Sequence, residues 1–121
     1  MFEKLLKNKA VIFKYDNQAD FEKWDKNSVY RIEITCFFEL PKSFTKAEIE
    51  QFAGNFYNKK PDCDNIAKAV MDCLVKAKII DDDCLIIEQE ISKYYQNFKD
   101  EKELIKIKLM DLKKQTECDK N

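Results

Sequence analysis

Histidine is absent from all 121 residues. With it go the commonest general base of enzyme sites and every Ser-His or Cys-His catalytic pair. The five cysteines, Cys36, Cys63, Cys73, Cys84 and Cys118, are odd in number and include no Cys-x-x-Cys pair. A zinc site is therefore not expected, and reduced thiols in a reducing compartment are. No apolar run approaches the roughly 20 residues that span a bilayer. The opening Met1-Phe2-Glu3-Lys4-Leu5-Leu6-Lys7 also lacks the apolar stretch of a signal peptide. A cytoplasmic protein with no membrane partner is the expectation. Arginine occurs once, as Arg31. Any hydrolytic chemistry must come from carboxylates, lysine or a metal ion.

What is present is ordinary in bulk and uneven in distribution. A hydrophobic content of 45% beside 37% charged residues fits a folded soluble chain, and the length fits a single domain over residues 1–121. The net charge of −1 does not by itself suggest a nucleic-acid binder. The basic residues, however, lie at the flanks, with Lys4, Lys7, Lys9 and Lys14 early and Lys99, Lys102, Lys106, Lys108, Lys113 and Lys114 late. The centre is acidic, with Asp62, Asp64, Asp72, Asp81, Asp82 and Asp83. That distribution suits a site where cations neutralise carboxylates and lysines hold phosphates, although solvated lysines on exposed faces would look the same.

Taken in order, Phe2, Leu5, Leu6, Ala10 and Phe13 recur at roughly helical spacing, which predicts an amphipathic helix over 2–13. Residues 16–27 are polar, with Phe21 and Trp24 as anchors of a loop or helical turn. Tyr30, Ile32, Ile34, Cys36, Phe38 and Leu40 then alternate with Arg31, Glu33, Thr35, Phe37 and Glu39, a period-two strand that Pro41 ends. Thr45-Lys46-Ala47-Glu48 has capping-box spacing and Gly54 a helix-stop position, which predicts a short helix over 46–53. Ile66, Ala69, Val70, Cys73, Leu74 and Ala77 predict a helix over about 65–77. A second strand is expected over 84–95, with Leu85, Ile87 and Ile91 on one side. Ile105, Ile107 and Leu109 mark a third, before a polar tail from 113. The expected architecture is α+β, a small mixed sheet packed against the helix at 65–77.

The start of that helix carries the chemistry. Pro61 biases Lys60 toward extended backbone, and Asp64 is suited to cap the helix, a role Asn65 could share. Asp64, Lys68 and Asp72 stand at i, i+4 and i+8 and form a polar stripe beside the apolar face. Asp62, Asp64 and an acid from residues 81–83 could converge on one hard divalent cation. Oxygen-only ligands favour Mg²⁺ or Mn²⁺, and Lys68 would lie over such a site as a phosphate clamp. The same residues also read as helix caps and a solvated acidic turn, and spacing alone does not separate the two. The aromatics Phe44, Phe56 and Tyr57 beside the motif are candidates for base stacking or for core packing.

Residues 60–93, K-P-D-C-D-N-I-A-K-A-V-M-D-C-L-V-K-A-K-I-I-D-D-D-C-L-I-I-E-Q-E-I-S-K, resemble the signature of RusA-type Holliday junction resolvases. The likeness lies in Pro-Asp-x-Asp-Asn-x-x-Lys, an Asp and Leu along the helix, an Asp-Asp pair and a strand ending in lysine. It implies a small homodimeric Mg²⁺-dependent endonuclease of phage or prophage origin that resolves four-way DNA junctions in recombination and repair. No small-molecule cofactor is implied. Carried across, Asp62, Asp64 and Asp83 match the metal-binding acids, and Lys68 the functional lysine. Lys93 matches the strand-closing lysine, expected with Lys59 and Lys60 to contact DNA. Asp72 and Asp82 match supporting positions, Asp82 being a possible substitute for Asp83. The resemblance weakens before residue 28, where the family's opening strand and basic loop are not evident. The early lysines and Lys42, Lys46, Lys59 and Lys60 would have to substitute for that loop. A relative that keeps the fold and binds branched DNA or a partner without cutting is the alternative.

Overall fold

The computed structural model describes residues 10–16 and 28–112. Four strands, β1 (Ala10–Asp16), β2 (Tyr30–Phe38), β3 (Ile86–Tyr95) and β4 (Leu104–Asp111), form one sheet in the order β1-β4-β2-β3. Two helices, α1 (Lys46–Phe52) and α2 (Cys63–Lys76), and a short 3₁₀ turn (Asp83–Leu85) lie between β2 and β3. The sheet is mixed. β2 runs antiparallel to β4 but parallel to β3, and β1 runs parallel to β4.

The alternation in β2 sets the two faces of the sheet. Tyr30, Ile32, Ile34, Cys36 and Phe38 are all buried, and every residue between them is half-buried. Ile105, Ile107 and Leu109 of β4 join them from the neighbouring strand. From the other layer come Ile66, Val70 and Leu74 of α2, and Ile80 just beyond it. Burying each such side chain contributes about 1.5–3 kcal/mol, so α2 is held to the sheet by its apolar stripe. Asp64, Lys68 and Asp72 stand exposed on the opposite side of the helix.

Three sequence expectations are corrected. The helix expected over 2–13 is overturned in its described part, because Ala10–Asp16 is a strand in register with β4 from Ala10↔Leu104 to Asp16↔Met110. Its Val, Ile, Phe and Tyr residues suit a strand, and an available edge of β4 outweighs a loose helical spacing. Residues 2–9, and the loop or turn expected over 16–27 beyond Asp16, lie outside the described residues. In β3, Ile87 does not share a side with Leu85 and Ile91. A register shift at Tyr30/Arg31 flips it outward to 57% exposure, while Leu85, Ile86 and Ile91 pack on the core. The third correction, the identity of the α2 cap, belongs to the site.

α1 has the expected capping box, with Glu48 N–H donating to Thr45 Oγ1 and Thr45 N–H to Glu48 Oε1. Gly54 follows at φ 71°, where an added Cβ would sit 2.5 Å from Asn97 Oδ1. The chain then runs along the end of β3, through Tyr95 N–H to Asn55 O (2.8 Å), a bridge between Phe56 and Tyr94, and Tyr57 N–H to Lys93 O (3.0 Å). This short edge delivers the chain to the acidic motif.

Candidate active site

Asp62, not Asp64, caps α2. Its backbone is extended (φ −78°, ψ 167°) and its Oδ1 accepts the Asn65 N–H at 3.0 Å. The geometry favours Asp62 because the side chain three residues before a free N–H reaches back to it. From Asp64 the N–H three residues on is that of Ala67, which lies inside the helix and is served by the carbonyl four residues before it. Asp64 instead lies in the first turn, where a carboxylate is favoured by the positive end of the helix dipole. Lys68 follows one turn later, exposed on the same face.

The remaining acids gather further along. Asp72, Val75, Lys76, Asp81, Asp82 and Asp83 line an open hollow of about 330 Å³. At about 1.5 Å rise per residue, Asp72 lies roughly 12 Å along the axis from Asp64. Asp82 caps the 3₁₀ turn, accepting the Cys84 N–H at 3.0 Å. That backbone donor holds its carboxyl below the usual range. Asp83 is pushed the other way, first by the hydrogen bond it shares with Asp82 and then by local desolvation and the like charges of Asp82 and Asp72. The acids thus form two groups, and among the described residues no three Asp, Glu, Cys or His side chains come close enough together to hold an ion. Their oxygen donors suit a hard cation in type; the required gathering of Asp62, Asp64 and Asp83 is not present in the arrangement as it stands.

The backbone leading to Asp62 is held from the sheet. Lys93 Nζ donates to Lys59 O at 2.8 Å and to Pro61 O at 2.9 Å. Tyr57 Oη donates to the carbonyl between them, Lys60 O, at 3.2 Å. The side chains of Lys59 and Lys60 are exposed. Of the three motif aromatics, Tyr57 stacks on Phe38 with centroids 4.0 Å apart, and Phe44 packs against Phe52 and Tyr95. Only Phe56 stands out, 73% exposed, with its ring stacked on Tyr94. Arg31 is engaged by Glu33, Glu88 and Glu90 on the outer sheet face. No disulfide joins the four described cysteines, Cys36, Cys63, Cys73 and Cys84.

The family model for endodeoxyribonuclease RusA matches residues 6–110, which takes in every described element but the last residue of β4. The chain belongs to the RusA family. No curated protein and no solved structure matches it. The match extends through β1, so the opening strand of this RusA-family chain is present where the sequence reading had a helix. Membership places the chain among the endodeoxyribonucleases, and the α+β mixed sheet covered by α2 is the fold that carries the motif. No described helix is long and apolar enough to cross a membrane.

Sequence reasoning missed the two side chains that hold the motif backbone. Lys93 had been expected at DNA and Tyr57 at a base or in the core. No local signal distinguishes those roles, because the contacts of Lys93 depend on which face of β3 it occupies and those of Tyr57 on how residues 55–57 run along that strand.

Proposed function

We propose that this RusA-family chain is a homodimeric endonuclease that resolves four-way DNA junctions by paired phosphodiester hydrolysis with Mg²⁺ or Mn²⁺. The reading rests above all on the start of α2, where Asp64 and Lys68 of the family motif share an exposed face and Asp62 caps the helix, directly after a backbone held by the sheet. Asp62, Asp64 and Asp83 would hold the cation. Bound there, it would supply charge neutralisation at the scissile phosphate and an acidified water.

The chain's own residues set the conditions. Asp62 is oriented by its cap bond through Oδ1. Asp82, by capping the 3₁₀ turn, fixes the backbone from which Asp83 projects, and Asp72 adds negative charge beside it. Lys68, exposed one turn after Asp64, is a donor for a phosphate oxygen, and the exposed Lys59 and Lys60 side chains give backbone charge for DNA. A homodimer would present two such sites to the two symmetric strands of a junction.

The test is cleavage of a four-way junction with Mg²⁺ against a linear duplex of the same sequence, using wild type and Asp64→Asn. Paired symmetric nicks in the junction alone, absent from the variant, are expected. Junction binding without nicks would support instead a recognition protein that does not cut.

A further inference from the structure

The sequence pattern puts Lys93 among the DNA contacts, but its surroundings describe a different task. β3 pairs with β2 so that Lys93 stands opposite Cys36, which is buried on the α2 side of the sheet. The lysine is therefore half-buried beneath the motif, on the side opposite the outward-facing Tyr94. Two of its three N–H donors go to Lys59 O and Pro61 O. The ammonium also lies 5.7 Å from the centre of the Tyr57 ring, whose hydroxyl takes the intervening carbonyl, Lys60 O.

We infer that Lys93 and Tyr57 form a positioning clamp, two sheet-anchored side chains that hold three consecutive carbonyls and so fix where Asp62 and Asp64 project. Carbonyls in a segment outside helix and sheet need partners, and here none of the three is left to water alone. The clamp is itself anchored. The Tyr57 ring is stacked on the buried Phe38, and its N–H donates to Lys93 O at 3.0 Å, which ties the two clamp residues to each other. Downstream the chain passes straight into the Asp62 cap, so a shift of the carbonyls is transmitted to the first carboxylate of the motif. With two charge-assisted bonds to carbonyls, the ammonium keeps a single N–H for any other acceptor and is tethered to the motif backbone.

The consequence for catalysis rests on the proposed nuclease function, whereas the clamp itself does not. Its test therefore has an arm free of activity. Amide hydrogen exchange is measured by NMR in wild type, Lys93→Met and Tyr57→Phe. Asn65 and Ile66, whose N–H groups bond to Asp62 Oδ1 and Asp62 O, should exchange several-fold faster in both variants, while Val70 and Leu74 in mid-helix keep their wild-type rates. Equal exchange at Asn65 in all three proteins overturns the clamp.

The second arm is junction binding in Ca²⁺ as a function of salt. A phosphate contact at Lys93 would lower the slope of log K against log salt by about 0.9 in Lys93→Met. The clamp predicts an unchanged slope, with turnover in Mg²⁺ reduced on the order of 100-fold, the effect of a misplacement near 1 Å. A reduced slope assigns Lys93 to DNA and overturns the inference. Should wild type neither bind nor cut a junction, the proposed function fails while the exchange arm still decides the clamp.

Discussion

Substitutions at Asp62 should separate two tasks that the residue performs at once. As the cap of α2 it accepts the Asn65 N–H at 3.0 Å, and as a motif acid it is a proposed ligand. Asp62→Asn keeps a side-chain oxygen at the capping position and removes the charge. The cap then survives, because Asn and Asp cap about equally well, and only the interaction with the helix dipole is lost, about 0.5 kcal/mol. Asp62→Ala loses both, the cap adding about 1 kcal/mol, for a total of about 1.5 kcal/mol. Asp64→Ala removes a first-turn carboxylate that caps nothing, again about 0.5 kcal/mol. At about 4 °C per kcal/mol for a chain of this size, Asp62→Ala should melt about 6 °C below wild type, and the other two about 2 °C below it. Calorimetry without divalent ions makes the comparison, and junction cleavage should be lost in all three. An Asp64→Ala protein that melts with Asp62→Ala would place the cap at Asp64. An Asp62→Asn protein as unstable as Asp62→Ala would refute the hydrogen-bonding role altogether.

The end of α2 makes an opposite prediction. Lys78 occupies a left-handed conformation at φ 59°, with its N–H on Val75 O and that of Ile79 on Leu74 O. This is a Schellman turn with a lysine where glycine is preferred. Lys78→Gly should therefore raise the melting temperature by about 2–4 °C, about 0.5–1 kcal/mol after the glycine's added chain entropy. In the core, Leu109 is completely buried, and Leu109→Ala should cost about 2–5 kcal/mol. Urea titration would show this as a lower midpoint at unchanged slope. Tyr57 has its pKa raised above the usual 10.0, by burial first and then by Tyr95 and Glu103. Its stabilising contribution is then complete below pH 10 and lost as pH rises through the higher folded value. An absorbance titration of tyrosinate should show a late component that disappears in Tyr57→Phe.

Much of the frame could be read from local pattern. The period of β2 is legible because one face is buried along its whole length. The α1 capping box is legible because it satisfies free N–H groups within four residues of sequence. The α2 stripe could be read for the same reason, its helical spacing matching one continuous buried face. The errors arose where a local pattern competed with a distant partner. Ala10 and Phe13 fit a helical spacing, yet β4 offered them a parallel edge. Ile87 kept alternation with Leu85 until a single register shift turned it outward. The cap moved from Asp64 to Asp62 because the chain turns into the helix two residues earlier than the apolar spacing suggests.

The sequence alone determined the family, through a motif whose residue types and spacings survive without any knowledge of contacts. It also determined the polar stripe of Asp64, Lys68 and Asp72, since helical periodicity places them on one face. The fate of Lys93 was left to tertiary structure. Whether a strand lysine meets DNA or backbone carbonyls 32 and 34 residues away in sequence depends on the parity of β3 against β2. A bulge sets that parity, and no local signal in the chain announces it. The distribution of the acids is likewise a tertiary matter, because the turn at residues 81–83 can be placed beside Asp72 only once α2 and β3 are both docked on the sheet.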